Sequence, residues 1–129
     1  MNHFHIALAL IFRDGQILIT QRRADADHLP NLWEFPGGKC EENETPRDCA
    51  VREAREEVGL EVRVTNERTP FTFDYPERIV TIFPFDCEIV SGQASALEGA
   101  ALRWIFPRDL ELEDFPAANI GLIEELKQG

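Results

Sequence analysis

The sequence predicts an α+β fold in which a mixed β-sheet and two principal helices form a three-layer α/β/α sandwich. Short segments rich in apolar, β-branched and aromatic residues alternate with turn signals along much of the chain. One capped helical segment interrupts them, and a second helix, predicted over residues 116–127, closes the chain. The length of 129 residues and the hydrophobic fraction of 43% suit one ordinary core, so we expect a single domain over residues 1–129.

Strands are predicted first at the amino terminus. Residues 4–12 are apolar and suit a buried strand, and Asp14-Gly15 forms the centre of a hairpin turn into a returning strand. The remaining predicted strands cover residues 16–22, 61–65, 69–74, 78–90 and 101–106, with a short extended piece at 33–35 that ends at Pro36-Gly37-Gly38. Pro84 indicates an edge position or a bulge, because proline cannot donate a hydrogen bond to a strand ladder.

The first helix is delimited by its capping residues. Thr45 suits the N-cap, Pro46 suits the first helical position, and Asp48 completes a capping-box pattern. The helix is expected to end near Val58, with Gly59 at the C′ position. At about 100° per residue, one face carries Val51, Ala54 and Val58, and the opposite face carries Glu53, Glu56 and Glu57.

The three carboxylates of this helix indicate a metal site. Glu53, Glu56 and Glu57 are spaced i, i+3 and i+4, so they lie on neighbouring turns of one side. Like charges this close repel unless a cation lies among them, and oxygen ligands suit a hard divalent ion such as Mg²⁺. The alternative is an ordinary exposed, charged helix face. Gly37-Gly38 is interpreted either as a simple turn or as backbone that approaches a metal or phosphate closely.

Composition and charge exclude several classes of function. The net charge of −11 argues against a surface that binds duplex nucleic acid, because such surfaces are basic. A nucleotide substrate remains compatible, since a metal ion and a few arginines neutralise its charge locally. No stretch reaches transmembrane length, so no membrane partner is expected. The three cysteines lack paired spacing and no signal peptide precedes them, which indicates a cytoplasmic protein, and its small solvated domain suits a monomer.

A longer pattern surrounds the three acids. It reads Gly, five residues, Glu, seven residues, and then Arg-Glu-apolar-x-Glu-Glu-x-Gly-apolar. The positions that meet it are Gly38, Glu44, Arg52, Glu53, Ala54, Glu56, Glu57, Gly59 and Leu60. This resembles the Nudix box, the signature of the Nudix hydrolases, and so implies a Nudix-type sandwich. Shorter matches, at residues 24–28, 34–39 and 114–119 and at Arg78, Glu98 and Trp104, resemble the MutT-like 8-oxo-dGTP diphosphatase branch.

The resemblance implies substitution at phosphorus by water, with Mg²⁺ as cofactor and Mn²⁺ as a substitute. The metal ligands that it implies are the Gly37 carbonyl and the carboxylates of Glu53, Glu56, Glu57 and Glu98. Glu53 and Glu98 are the alternatives for the general base, since carboxylates around one metal titrate as a coupled set. Arg52 is expected to organise the acids through an ion pair, with Glu44 as its partner.

The resemblance also implies a set of substrate-binding residues: Arg23, His28, Glu34, Phe35, Gly38, Lys39, Arg78 and Asn119. Asn119 is expected to read a purine edge, because an amide donates and accepts at once, although it can instead cap the last helix. Arg23 is expected to contact a phosphate, and Lys39 either a phosphate or a loop salt bridge. Phe35 has a plain core position as its alternative, and His28 an exposed loop position.

The expected function is hydrolysis of 8-oxo-dGTP to 8-oxo-dGMP and pyrophosphate, which sanitises the nucleotide pool. The alternatives are a Nudix hydrolase for CTP or a modified dCTP and, with less support, for a dinucleoside polyphosphate or ADP-ribose. A ligand-binding module without turnover is disfavoured, because every acid of the box is present. Covalent phosphatase chemistry is disfavoured too, since no Cys or Ser has a recognisable nucleophile context.

Overall fold

A mixed sheet of eight strands lies between two α-helices in the computed structural model, which describes residues 2–129. Met1, the first residue of the predicted domain, lies outside the described residues. The elements are β1 (Asn2–Arg13), β2 (Gln16–Gln21), β3 (Trp33–Glu34), β4 (Gly37–Lys39), α1 (Pro46–Val58), β5 (Leu60–Glu67), β6 (Phe71–Tyr75), β7 (Arg78–Gly92), β8 (Ala101–Ile105) and α2 (Ile120–Gln128).

Strand β1 is the centre of the sheet. The strand order is β3-β2-β1-β7-β5, and β4, β6 and β8 pair with β1, β7 and β2 respectively. The β1–β7 pair is parallel, from Asn2 opposite Arg78 to Phe12 opposite Glu88, and the other pairs among residues 2–129 are antiparallel. This arrangement confirms the predicted mixed sheet and places the amino-terminal strand where both faces are covered.

Two cores form because alternate residues of β1 point to opposite faces of the sheet. Leu8 and Leu10 pack on the α2 side, together with Ile123 of that helix. Ala7 and Ala9 pack on the α1 side, against a helix face that includes Ala54. The continuous apolar run of β1 is thus the pattern of a strand buried on both faces, and α1 and α2 are the outer layers of the predicted α/β/α sandwich.

The caps predicted for α1 are present in the structure. The Thr45 side chain accepts a hydrogen bond from the Asp48 backbone N–H at 3.1 Å, and Pro46 begins the helix. Gly59 ends it in the left-handed conformation at φ 73° and donates its N–H back to the carbonyls of the last turn. Both ends of α1 are therefore fixed by local sequence, which fixes the axial position of the acids that it carries.

Two predictions about local structure are wrong, and one open alternative is decided. Of the two interpretations of Gly37-Gly38, the simple turn is excluded, because both residues lie in a short strand, β4, that pairs with β1. Pro84 lies in a central strand, at the point where the antiparallel partner of β7 changes from β5 to β6, so its missing N–H interrupts neither ladder. The closing helix begins at Ile120 rather than at residue 116, because residues 117–119 form a 3₁₀ turn first.

Candidate active site

Three carboxylates converge beside the carboxyl-terminal half of α1. Oxygen atoms of Glu53, Glu57 and Glu98 all lie within 4.8 Å of one another. Glu53 and Glu57 are one turn apart on α1, and Glu98 reaches them from the loop between β7 and β8. We call these three residues the acidic triad. Glu56, which was predicted to join the metal ligands, lies outside the triad and directs both carboxylate oxygens to Arg52 at 3.2 Å.

Strand β4 lies directly against the acids. The Gly37 N–H donates a hydrogen bond to a Glu57 carboxylate oxygen at 2.9 Å. A Cβ atom on Gly38 would lie 2.6 Å from the Glu53 carboxyl carbon, so a side chain here would displace the Glu53 carboxylate. Glu57 is 7% exposed and lies on the packed side of α1, which corrects its predicted place on the open face. The backbone of β4 is what covers it.

Arg52 lies at the centre of an ion-pair network. Its guanidinium donates to both Glu44 oxygens, at 2.7 and 3.0 Å, and to a Glu53 oxygen at 2.9 Å. It also donates to the Lys39 backbone carbonyl at 3.1 Å, which ties α1 to β4. The hydrogen bonds from Arg52 lower the pKa of Glu44 to about 2. Arg52 and Glu44 thus form the pair that the sequence predicts, at the edge of the acidic triad.

The charge on the acidic triad is poorly compensated by the protein. Burial raises the pKa of Glu57 to about 8, and the hydrogen bond from Gly37 offsets only part of that cost. Burial also raises the pKa of Glu53, with the adjacent Arg52 opposing the shift. Three converging carboxylates, one of them buried, are an oxygen donor set of the kind that a hard divalent cation requires. The residues present therefore fit a divalent metal ion.

A largely apolar cavity lies on the other side of β4, and we call it the base cavity after the nucleobase that the resemblance leads us to expect there. Its apolar wall includes Ile6, Leu8, Phe35, Val80, Ile82, Pro116 and Ala118. Asn119 also lines it and is 6% exposed. Asn119 occupies the N-cap position of α2 but makes no capping hydrogen bond through its side chain. Phe35 is 1% exposed and stacks on Phe115, so it is both a core residue and a wall of the cavity.

Cationic and aromatic side chains surround the mouth of the base cavity. His28, on the loop after β2, lies 3.3 Å from an Arg78 guanidinium nitrogen, at the start of β7. Burial lowers the pKa of His28, and Arg78 and Arg22 lower it further, which favours the neutral ring. Lys39 lies over the Phe4 ring at 3.9 Å from its centroid. His28, Lys39 and Arg78 thus line one groove beside the cavity.

Two adjacent arginines have different environments. Arg23, the predicted phosphate contact, is 62% exposed and pairs with Asp25 at 2.9 Å, although it borders the cleft that contains Glu57 and Glu98. Arg22 donates to Glu34 at 3.0 Å and to the His28 backbone carbonyl at 3.2 Å. Arg22 and Glu34 line both that cleft and the base cavity. Burial raises the pKa of Glu34, and Arg22 opposes the shift.

Sequence reasoning missed Arg22 and Tyr75, which both line the base cavity. Strand alternation gave no signal for Arg22, because β2 is buried on both faces, with Ile19 2% and Thr20 3% exposed. Tyr75 had no signal either, because its place depends on how the β6–β7 hairpin packs. Within residues 2–129, no helix combines the length and apolar character required to cross a membrane.

Comparison with known proteins places this geometry in a family. The NUDIX domain model matches residues 2–126. The chain is 36% identical over 129 residues to the 8-oxo-dGTP diphosphatase of Escherichia coli K12, covering 99% of each protein. It is also 36% identical over 124 residues to the CTP pyrophosphohydrolase of E. coli K12, covering 96% of this chain and 91% of that protein. The solution structure of the E. coli ORF135 protein superposes with a TM-score of 0.80 at 35% identity, covering 96% of this chain and 88% of that one.

The family match spans nearly the whole chain, and the nine positions of the box include two acids of the triad and the Arg52–Glu44 pair. The resemblance drawn from the sequence is therefore confirmed: the chain belongs to the Nudix hydrolases, enzymes that hydrolyse phosphorus anhydrides.

Proposed function

We propose that this enzyme hydrolyses 8-oxo-dGTP to 8-oxo-dGMP and pyrophosphate, with Mg²⁺ as its cofactor and Mn²⁺ as a substitute. The observation that carries the proposal is the wall shared by two cavities. Arg22, Glu34 and Gly37 line both the base cavity and the cleft that contains Glu57 and Glu98. A nucleotide with its base beside Asn119 therefore has a short path for its phosphates to the acidic triad.

The proposed metal ligands are the carboxylates of the acidic triad and the Gly37 carbonyl. Glu56 would join them by turning its carboxylate from Arg52 toward the ion. A divalent ion bound there supplies charge neutralisation for the phosphate oxygens and orients the triphosphate. Water forms the new bond to the α- or the β-phosphorus, and the anhydride P–O bond between them breaks. The bonding electrons stay on the oxygen of the departing group, which is pyrophosphate for attack at the α-phosphorus and 8-oxo-dGMP for attack at the β-phosphorus. A carboxylate takes the proton of the water, and Glu53 and Glu98 are the two candidates for this base.

Arg52 and Glu44 are proposed to position Glu53 rather than to contact substrate. Arg52 reaches Glu53 at 2.9 Å while it is held by both oxygens of Glu44, so the Glu53 carboxylate has a fixed orientation. The acids of the triad all come from one chain, and a monomer therefore suffices for the proposed reaction. The unpaired cysteine spacing favours a cytoplasmic location, and the net charge of −11 is compatible with a nucleotide substrate. A substrate from the cytoplasmic nucleotide pool is therefore consistent with the sequence.

Base selection is proposed to rest on Asn119. Its amide donates and accepts at once, as the 6-oxo, 7-NH edge of an 8-oxopurine requires. The apolar wall around it excludes water, which makes an unmatched hydrogen-bonding edge costly. Phe35 contributes to that wall. Gly38, which has no side chain, is proposed to let the backbone of β4 approach the metal or a phosphate closely. Arg23, His28, Lys39 and Arg78 are proposed to contact the sugar and phosphates, because Arg23 borders the cleft and the other three line the groove beside the cavity.

CTP is the second candidate substrate. It is favoured by the equal identity of 36% to the 8-oxo-dGTP diphosphatase and to the CTP pyrophosphohydrolase of E. coli. A pyrimidine lacks the 7-NH group that the proposed contact with Asn119 uses. The first candidate therefore predicts a higher kcat/KM for 8-oxo-dGTP than for CTP, and the second predicts the reverse.

The test is a nucleotide panel with Mg²⁺ that contains 8-oxo-dGTP, dGTP, CTP, dCTP, a diadenosine polyphosphate and ADP-ribose. We expect the highest kcat/KM for 8-oxo-dGTP, with 8-oxo-dGMP and pyrophosphate as products. The Glu53→Gln variant controls for contaminating phosphatases. A higher kcat/KM for CTP than for 8-oxo-dGTP would overturn the proposed substrate while leaving the chemistry of the acidic triad in place.

A further inference from the structure

The loop that carries Glu98 to the acidic triad is held at two points. Residues 93–100 connect β7 to β8 without regular secondary structure, and Glu98 itself is exposed. An exposed acid on an irregular loop is ordinarily mobile. Glu53 and Glu57, in contrast, are fixed by the helix that carries them. The position of Glu98 within 4.8 Å of both therefore needs a structural cause.

The first attachment precedes Glu98. The Ser95 N–H donates to the Val58 carbonyl at 3.0 Å, and the Leu97 N–H donates to the Glu57 carbonyl at 3.1 Å. These carbonyls belong to the last turn of α1, where carbonyl groups lack partners within the helix. The loop therefore satisfies the end of the helix that carries two acids of the triad. The backbone of Glu57 is linked directly to the residue before Glu98.

The second attachment follows Glu98. The Ala100 N–H donates to the Gln21 carbonyl of β2 at 2.9 Å. A Cβ atom on Gly99 would lie 2.7 Å from that same carbonyl oxygen, closer than real Cβ atoms approach. Gly99 is not among the glycines with positive φ, so its missing side chain matters for the close approach and not for the backbone conformation. Glu98 thus lies between two backbone contacts, one to α1 and one to β2.

We propose that Gly99 is a positioning residue of the acidic triad. Its contact with Gln21 fixes the loop so that the Glu98 carboxylate stands beside Glu53 and Glu57 before a cation binds. The inference rests on the proposed metal-binding role of the triad and adds the residue that preorganises its third member. Preorganised ligands bind more tightly because less conformational freedom is lost on binding.

Mn²⁺ affinity, measured by titration calorimetry without nucleotide, tests this role. Gly99→Ala should displace the loop from Gln21 and weaken Mn²⁺ binding about tenfold, the lower end of the range for residues that orient metal ligands. Gly121→Ala is the matched control, because a Cβ atom on Gly121 would meet nothing within 4 Å. It should leave the affinity unchanged. Amide hydrogen exchange should show faster exchange at Leu97 and Ala100 in Gly99→Ala.

A double-mutant cycle with Glu98→Gln separates positioning from general damage. If Gly99 acts through Glu98, adding Gly99→Ala to Glu98→Gln causes no further loss of Mn²⁺ affinity. The proposal is overturned if Gly99→Ala binds Mn²⁺ as the wild type does, or if the loss is equally large in the Glu98→Gln background. Because no nucleotide is present, failure to hydrolyse 8-oxo-dGTP would overturn the proposed substrate and leave this cycle unaffected.

Discussion

The acidic triad and the base cavity are neighbours across β4, but they are assembled in different ways. Two of the three acids come from one turn of α1, and the Arg52 network that supports Glu53 spans residues 39–56. The wall of the base cavity comes from β1, β7, the segment before β4 and the segment before α2. Charge is concentrated in the first region and apolar surface in the second. Proposed chemistry is thus encoded locally, whereas proposed recognition depends on the whole fold.

The largest expected effect is in the acidic triad. Glu57→Gln keeps the size of the side chain and an oxygen for the Gly37 N–H, but it removes a proposed metal ligand. We expect kcat with Mg²⁺ to fall about 10³-fold, or about 4 kcal/mol in the activation barrier. Steady-state pyrophosphate release measures the change, and circular dichroism checks that the fold persists.

Glu61→Gln is the matched control for Glu57→Gln. Glu61 follows α1 but is 44% exposed and pairs with Arg55, away from the triad. Its kcat should equal that of the wild type. If Glu57→Gln also retained wild-type kcat, the triad would be an ordinary charged surface and the contrast between the two regions would disappear.

The next largest effect is expected in the base cavity. Asn119→Ala removes the amide that is proposed to bind the purine edge. We expect KM for 8-oxo-dGTP to rise about 30-fold, because the bound base would keep buried polar groups without partners. KM for CTP should change far less. Initial-rate kinetics with both substrates measure the difference.

Asn66→Ala provides the control for the loss of an amide, since Asn66 is exposed and pairs with Asp86, and neither residue lines the base cavity. It should leave both KM values unchanged. Equal increases for 8-oxo-dGTP and CTP in Asn119→Ala would count against recognition of the purine edge.

The same contrast explains how much of the molecule could be predicted from sequence. The buried strand over residues 4–12 and the caps of α1 follow from short-range rules, and the structure confirms both. Glu57 was assigned to the wrong face because about 100° per residue places it about 60° from Ala54, at the border of the two faces. The packing of β4 decides that it is buried, and helical periodicity carries no information about β4.

Arg22 illustrates the limit more clearly. A pair of adjacent arginines after a strand does not reveal which one turns inward, and the resemblance favoured Arg23. The choice is made by Glu34, which pairs across the β2–β3 ladder and accepts from Arg22 at 3.0 Å. Long-range pairing of this kind is set by tertiary structure.

Arg22 also offers a test at the wall shared by the two regions. Arg22→Met keeps an aliphatic chain but leaves Glu34 without its cation and the His28 loop without its hydrogen bond. We expect kcat/KM for 8-oxo-dGTP to fall about tenfold. The pKa of Glu34 should rise further, because burial already raises it and Arg22 opposes that shift. If the titration of Glu34 produces the acidic limb in the pH profile of kcat/KM, that limb should therefore move to higher pH in Arg22→Met.

Arg55→Met is the control, since Arg55 is 55% exposed and pairs with Glu61 outside both cavities. It should keep wild-type kcat/KM. A tenfold loss in both variants would mean that kcat/KM responds to net charge, and the shared wall would then have no special role.

The smallest effect concerns stability and isolates the Arg52 network from the proposed metal. Glu44 is 14% exposed, and its pKa is lowered from 4.5 to about 2, chiefly by hydrogen bonds from Arg52. A lowered pKa in the folded state stabilises the protein above the unfolded pKa, and this contribution is lost as the pH falls through the folded pKa. Glu44→Gln should therefore reduce the free energy of unfolding by about 1 kcal/mol at pH 7.

The difference between wild type and Glu44→Gln should persist down to about pH 4.5 and decline to near zero at about pH 2. Urea unfolding in the presence of a chelator measures it, and the other carboxylates cancel because both proteins carry them. A difference that stays constant to pH 2 would show that Glu44 acts through packing. If the difference in unfolding free energy depends on pH in the presence of a chelator, the Arg52 network forms without a bound metal. This is the expected result for a region that is encoded by residues close together in the sequence.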